Sequence, residues 1–151
     1  MLIGVISDTH GLLRPEAIDA LQGCEHIIHA GDIGAPEIVA SLQQIAPVYA
    51  IRGNVDTGAW ARVFPETLQL EFASTRIYVL HDLKSLTMDP RASGVNVVIS
   101  GHSHVPRQEW REGALYLNPG SAGKRRFRLP ITLARMRIEN ELVNTEIVPL
   151  A

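Results

Sequence analysis

The sequence predicts an α/β fold built from two packed, mixed β-sheets with helices on the outside. Three observations carry this expectation. Apolar runs of strand length recur through the first half, each halting at a polar turn and followed by a new element. In the second half the helical spacing gives way to strand pairs joined at short turns. A length of 151 residues fits one domain, expected to span 1–151, with enough chain to bury a substantial core.

Taken in order, Leu2 to Ser7 is an apolar run closed by Asp8-Thr9-His10-Gly11, the pattern of a strand buried on both faces. Pro15 in a first turn, Glu16 behind it, and Ala17, Ile18, Ala20 and Leu21 at helical spacing predict a helix that Gly23 stops. His26 to Ala30 is the second strand and halts at Gly31-Asp32. Pro36 to Gln44 repeats the helix signal, with Ile38, Val39, Leu42 and Ile45 apolar, and Pro47 to Ile51 is a third strand ending at Arg52-Gly53-Asn54. Three strand–helix units in succession argue for a parallel core. Glu66 to Phe72 and Arg76 to Leu80 then read as a hairpin around Ala73-Ser74-Thr75, and residues 82–94 as irregular chain or one short helix. Val95 to Ser100 is a further apolar strand halting at Gly101-His102. Gln108 to Arg111, Ala114 to Leu117, Ile131 to Ile138 and Leu142 to Val148 complete the strands, with turns at Glu112-Gly113, Pro119-Gly120 and Glu139-Asn140.

Composition narrows the function classes. Fourteen Lys and Arg against 16 Asp and Glu give a net charge of −2, so no global field draws nucleic acid or anionic membranes, and any recognition of an anion must be local. The single cysteine, Cys24, excludes an intramolecular disulfide and the usual thiolate zinc sites. The N-terminal segment lacks a basic region and a long apolar stretch, and no run approaches membrane-spanning length. The expectation is a cytoplasmic protein with no membrane partner, homo-oligomerisation being left open.

Seven polar residues stand where apolar strands end: Asp8, His10, Asp32, Asn54, His81, His102 and His104. In parallel α/β folds the carboxyl ends of strands are where loops converge into ligand sites. Asp8 and His10 are two apart, as are His102 and His104. In extended chain, residues i and i+2 project to one side, so each pair is expected to present two ligands together. Carboxylates, an amide and imidazoles suit Mn²⁺, with Fe, Zn²⁺ or Ni²⁺ also compatible, rather than Ca²⁺ or Mg²⁺. Seven ligands exceed one such ion and fit two sharing a carboxylate. Singly, each residue also has a plain reading as a hydrogen-bonded histidine, a turn residue or a helix cap; it is their ordered placement at successive strand ends that points to metal.

Asp8-Thr9-His10-Gly11, Gly31-Asp32, Gly53-Asn54-Val55-Asp56, His81 and Gly101-His102-Ser103-His104 resemble the motif series of the calcineurin-like metallophosphoesterases. Asn118-Pro119-Gly120-Ser121 resembles the small prokaryotic branch, which also includes the phosphoesterase-like subunit of the eukaryotic retromer. The resemblance covers about residues 3 to 122. It implies a four-layer αββα sandwich and two divalent metal ions. Asp8, His10, Asp32 and His104 would hold one ion, Asp32, Asn54, His81 and His102 the other, with Asp32 bridging. It further implies in-line hydrolysis of a small phosphate ester by a metal-bound hydroxide, with Asn54 and His102 in catalytic contact. Two departures stand out. Relatives often carry His where this chain has Val55, which cannot donate a proton, and commonly Gly where Asp82 follows His81. Without that donor, a phosphodiester with a good leaving group is the expected substrate. The alternatives are a phosphomonoesterase of the same fold, or a non-catalytic metal-binding scaffold. Asp56 is expected either to orient a ligand histidine or to stabilise its turn. His29 is expected behind the site or simply buried and hydrogen-bonded, His26 at the surface, and Trp60 and Trp110 in a core or interface. The Lys124-Arg125-Arg126 run with Arg128 is either a solvated face or a reach toward the distal part of a substrate.

Overall fold

A computed structural model describes residues 1–151. The chain runs β1 (Leu2–Ile6), α1 (Pro15–Ala20), β2 (His26–His29), α2 (Pro36–Gln43), β3 (Val48–Ala50), β4 (Thr67–Phe72), β5 (Thr75–Leu80), β6 (Val97–Ile99), β7 (Arg107–Arg111), β8 (Ala114–Asn118), β9 (Thr132–Glu139) and β10 (Leu142–Pro149). Short 3₁₀ turns lie at Ala59–Val63 and Leu83–Ser85. One sheet has the order β10-β9-β1-β2-β3 and the other β4-β5-β6-β8-β7. Each is mixed. β1, β2 and β3 run parallel, as do β5, β6 and β8, while β9, β10, β4 and β7 add antiparallel strands.

Strand alternation sorts the apolar residues into two layers. Ile3, Val5 and Ile28 face the second sheet, meeting Ile77, Val79, Ile99, Leu115 and Leu117. Ile6 and Ile27 face the other way, onto Ala17 of α1, Leu21 just beyond its end, and Ile38, Val39 and Leu42 of α2. Fully burying an aliphatic side chain of this size contributes roughly 1.5–3 kcal/mol, so each layer is a substantial source of stability. At Gly4 the segment after α1 packs against β1: a β-carbon there would collide with Leu21 and sit 3.2 Å from Cys24 Sγ. No helix is long and apolar enough to cross a membrane.

The expected α/β sandwich forms, with few helices. α1 and α2 cover only the first sheet. The crossover from β5 to β6 lies over the outer face of the second, beside the outward-facing Tyr116. It contains no α-helix: Asp82 Oδ1 accepts from Lys84 N at 3.0 Å to start one 3₁₀ turn, and Pro90 is buried among further turns. Residues 82–94 therefore take the irregular alternative, since Pro90 and Gly94 interrupt any longer helix. The third strand is likewise followed by a 3₁₀ turn rather than a third α-helix.

Candidate metal centre

Because β1, β2 and β3 are parallel, and β5, β6 and β8 likewise, the strand ends of both sheets meet along one rim of the sandwich. Backbone bonds lock the loops together there: Asp8 N donates to Gly31 O (3.0 Å), His10 N to Asp32 O (2.9 Å) and Gly101 N to His81 O (3.0 Å). The glycines of the motifs are spatial requirements. A β-carbon at Gly31 would lie 2.7 Å from His81 Nδ1, and one at Gly101 2.6 Å from Asp8 Oδ2.

Five of the seven candidate ligands occupy the left-handed backbone region: Asp8, His10, Asp32, His102 and His104, with φ of 55°, 47°, 56°, 69° and 64°. The paired ligands are thus aimed by left-handed turns and not by the extended chain that their spacing suggested. For a residue bearing a β-carbon this conformation costs roughly 1–2 kcal/mol, and such clusters of strain are typical of functional sites.

Asp8 and Asp32 form the centre. Asp8 Oδ2 is satisfied by Ser7 Oγ (2.7 Å) and His102 N (3.1 Å), which leaves Oδ1 turned inward. Around Oδ1 stand His104 Nε2 at 3.4 Å, His10 Nε2 at 3.8 Å and His81 Nε2 at 3.9 Å. Asp32 Oδ1 accepts from Val55 N (3.1 Å), while Oδ2 lies 3.5 Å from His10 Nε2 and 3.2 Å from His81 Nε2. Two overlapping groups result, Asp8–His10–His104 and Asp8–Asp32–His81, each compact enough for one ion. His81 Nδ1 donates to Ala30 O at 2.8 Å, because a carbonyl can only accept. In the neutral ring, Nε2 then points a lone pair at two carboxylates, an arrangement that a proton on Nε2 or a metal ion between them resolves. Asp8 Oδ1, His10 Nε2, His81 Nε2 and His104 Nδ1 are all buried without a hydrogen-bond partner. Such orphaned polar atoms are costly unless something binds them, and a divalent ion held by N and O donors fits.

The electrostatics agree. Burial opposes charge on Asp8, but the imidazoles of His10 and His104, the Ser7 hydroxyl and the charge of His81 outweigh it and hold the carboxyl well below the usual range. Asp32 is also lowered, against its burial, by His81 and by the Val55 amide. His10 is raised chiefly by Asp8; His81 is raised by Asp32 and the Ala30 carbonyl despite burial. In metal-free protein both rings are thus biased toward the protonated form by the same carboxylates that a metal would meet.

Asn54 and His102 stand at the open side of this cluster rather than within it. Asn54 is exposed on the wall of one cleft, and His102, on the wall of another, lies 3.7 Å by Nε2 from Asp82 Oδ2. Asp56 takes the turn-stabilising alternative: it accepts from Ile33 N, Gly34 N and Gly53 N at 3.0, 2.9 and 2.8 Å and hydrogen-bonds to no histidine. His29 is fully buried, with Nδ1 accepting from Gly31 N (3.1 Å) and Nε2 therefore donating to Thr9 Oγ1 (3.0 Å), and burial drives its pKa down to about 4. His26 is half-buried against Phe72, ring centroids 4.7 Å apart, and so is not the surface histidine expected. Trp60 packs on the helix-side core, but Trp110 is 58% exposed on β7, the edge strand. Ser7, Thr9 and Asn118 were not singled out by sequence. Asn118 Nδ2 donates to Gly101 O (2.9 Å) and Ser103 Oγ (3.1 Å), bracing the His102–His104 turn. The only signal for Asn118 was its place in Asn118-Pro119-Gly120-Ser121.

Residues 1–141 match the model of the calcineurin-like phosphoesterase superfamily domain. A probable metallophosphoesterase of Methanothermobacter thermautotrophicus is 37% identical over 160 aligned residues, covering 98% of this chain and 92% of that one. Another, of Methanocaldococcus jannaschii, is 35% identical, covering 99% and 82%. Among solved structures, an archaeal phosphodiesterase has a TM-score of 0.81 at 23% identity, with 98% of this chain and 100% of that one covered. Vps29 of Entamoeba histolytica, complexed with zinc, has a TM-score of 0.77 at 22% identity over the whole of both chains. At those identities the structural likeness speaks to the fold.

Proposed function

We propose, from the premise that the chain belongs to the calcineurin-like phosphoesterase superfamily, that its strand-end cluster holds two divalent metal ions and hydrolyses a phosphodiester. The observation that carries this reading is the convergence of three buried, partnerless atoms, Asp8 Oδ1, His10 Nε2 and His81 Nε2, with His104 Nε2 3.4 Å from Asp8 Oδ1. Asp8, His10, Asp32 and His104 would hold one ion, and Asp32, Asn54, His81 and His102 the other. Support for Asp32 as the shared ligand is the position of Oδ2 between His10 and His81; Asp8 Oδ1 also reaches both groups. The donor set suits Mn²⁺ first, then Fe, Zn²⁺ or Ni²⁺. When bound, the ions supply Lewis acidity, positive charge for the phosphate and an acidified water.

The chain's own residues orient this chemistry. Ser7 and the His102 amide occupy Asp8 Oδ2 so that Oδ1 stays free, and Ala30 fixes the His81 tautomer. Asn54 and His102, at the open side, are placed to contact the phosphate. Val55, 48% exposed, stands where a proton donor would have to act and offers none, so reactivity should depend on the leaving group. A non-catalytic scaffold is disfavoured by the presence of every motif ligand. Metal analysis followed by Mn²⁺-dependent hydrolysis of bis-p-nitrophenyl phosphate and p-nitrophenyl phosphate tests the reading. Metal-dependent turnover, faster on the diester, is expected. A protein with neither metal nor activity would overturn it, and a faster monoester would reassign the substrate class.

A further inference from the structure

Two clefts border the candidate metal centre, and Asp82 lies on both. They differ in charge. On the Asn54 side the one cation, Arg52, is already engaged: it pairs with Glu66 Oε1 at 3.4 Å and donates to the Phe64 carbonyl. Asp56, Glu66 and Asp82 make that wall acidic. On the His102 side, a cleft of about 530 Å³ gathers Lys84, Arg107 and Arg126 around a single carboxylate, Asp82. That carboxylate is occupied by His102 and by the Lys84 amide. Neither Lys84 nor Arg126 has a carboxylate within 4.0 Å. Arg107 approaches Glu109 only to 4.0 Å, and Arg111 holds Glu109 through two bonds of 2.9 and 3.0 Å.

A chain of net charge −2 therefore concentrates uncompensated cations in one concave wall, beside His102, one of the two residues proposed to meet the phosphate. Cationic walls in a cleft focus the field and draw anions, and paired guanidiniums match phosphate oxygens bidentately. One member, Arg126, belongs to the basic run that the sequence left between a solvated face and a substrate contact. The scissile phosphate is already provided for by the metal site, so these cations call for a second anion.

Resting on the phosphoesterase reading of the neighbouring centre, we propose that this cleft is a second anion subsite. The substrate is then a phosphodiester bearing a further phosphate group, which Arg107 and Arg126 grip with Lys84 at the edge. The test compares thymidine 5′-(p-nitrophenyl phosphate) with its 3′-phosphorylated counterpart, two esters with the same scissile bond, on the Mn²⁺-loaded protein. The kcat/KM ratio should favour the 3′-phosphorylated ester by about tenfold or more. It should shrink as ionic strength rises, fall to about one in Arg107→Ala/Arg126→Ala, and be partly restored in Arg107→Lys/Arg126→Lys. A ratio near one in the unaltered protein, or one that survives the double alanine variant, overturns the subsite. Should neither ester nor bis-p-nitrophenyl phosphate be hydrolysed, the phosphoesterase reading has failed separately. The intact esters then serve as ligands, and the same ratio, taken from equilibrium binding, decides the subsite by the same criteria.

Discussion

A β-carbon at Gly101 would come within 2.6 Å of Asp8 Oδ2 and collide with Ser7 Oγ, the two atoms that keep Asp8 turned inward. Gly101→Ala should therefore fold, by far-ultraviolet circular dichroism, yet bind Mn²⁺ at least about tenfold more weakly in calorimetric titration. Gly113→Ala is the control: its φ is positive, at 83°, where that of Gly101 is not, and nothing crowds it. It should cost about 1 kcal/mol of stability and leave metal affinity unchanged. Val55→His tests the missing proton donor. Rates across a series of aryl and alkyl diesters should depend less steeply on leaving-group basicity in the variant, and an unchanged slope would count against a role for that position. At this scale the identities of the ligand residues were legible because each ends an apolar run. The left-handed backbones of five of them were not, since Asp and His adopt positive φ far less readily than glycine does. Val55, half exposed and tied by its amide to Asp32, keeps the backbone role of its motif without the side-chain one.

Strand ends alone would not hold these residues in place; neighbouring loops do. Asp56 joins the turn after β2 to the turn after β3 through three amides, and His29 at the end of β2 joins Gly31 to Thr9, whose hydroxyl donates onward to Ile33 O. His29 carries a pH signature. Its pKa in the folded state is about 4, against an ordinary 6.5, so the unfolded chain binds more protons between those values. Its contribution is complete above about 6.5 and is lost as the pH falls toward 4, on the order of 3 kcal/mol in all. The carboxyls of Asp8 and Asp32 are lowered from 3.8 and act in a more acidic window, while the raised His10 and His81 of metal-free protein contribute below 6.5 and lose that contribution as pH rises. Urea unfolding of metal-free protein should thus show stability falling as the pH is lowered from 6.5 to 4, a slope that His29→Gln flattens; an equal slope in the variant would refute the assignment. The elements themselves were readable to within about two residues, because apolar runs bounded by Gly, Pro and polar turns leave little freedom. The connection 82–94 and the 3₁₀ turn Ala59–Val63 were not, since neither has a sustained period and their shape is set by packing on what lies beneath.

Over the whole molecule, a centre made by both sheets follows from topology. Three parallel strands in each sheet deliver their carboxyl ends to one rim, so Asp8, His10 and Asp32 from the first sheet meet His81 and His104 from the second across the shared core. The two outer layers are unequal, with helices on one side and only the β5–β6 crossover on the other, and that thinner side is where the cationic cleft opens. The αββα expectation came from resemblance, and the slimness of the fourth layer could be read only from how irregular residues 82–94 are. Family membership rests on residues 1–141, so what chiefly needs measurement is whether the rim holds two ions that share Asp32. Metal content by mass spectrometry, with diesterase rate on the same samples, should give about two ions per chain in the unaltered protein. In Asp32→Asn it should give about one or fewer, with the rate reduced at least about a hundredfold. Two ions and an undiminished rate in Asp32→Asn would contradict the shared-carboxylate centre.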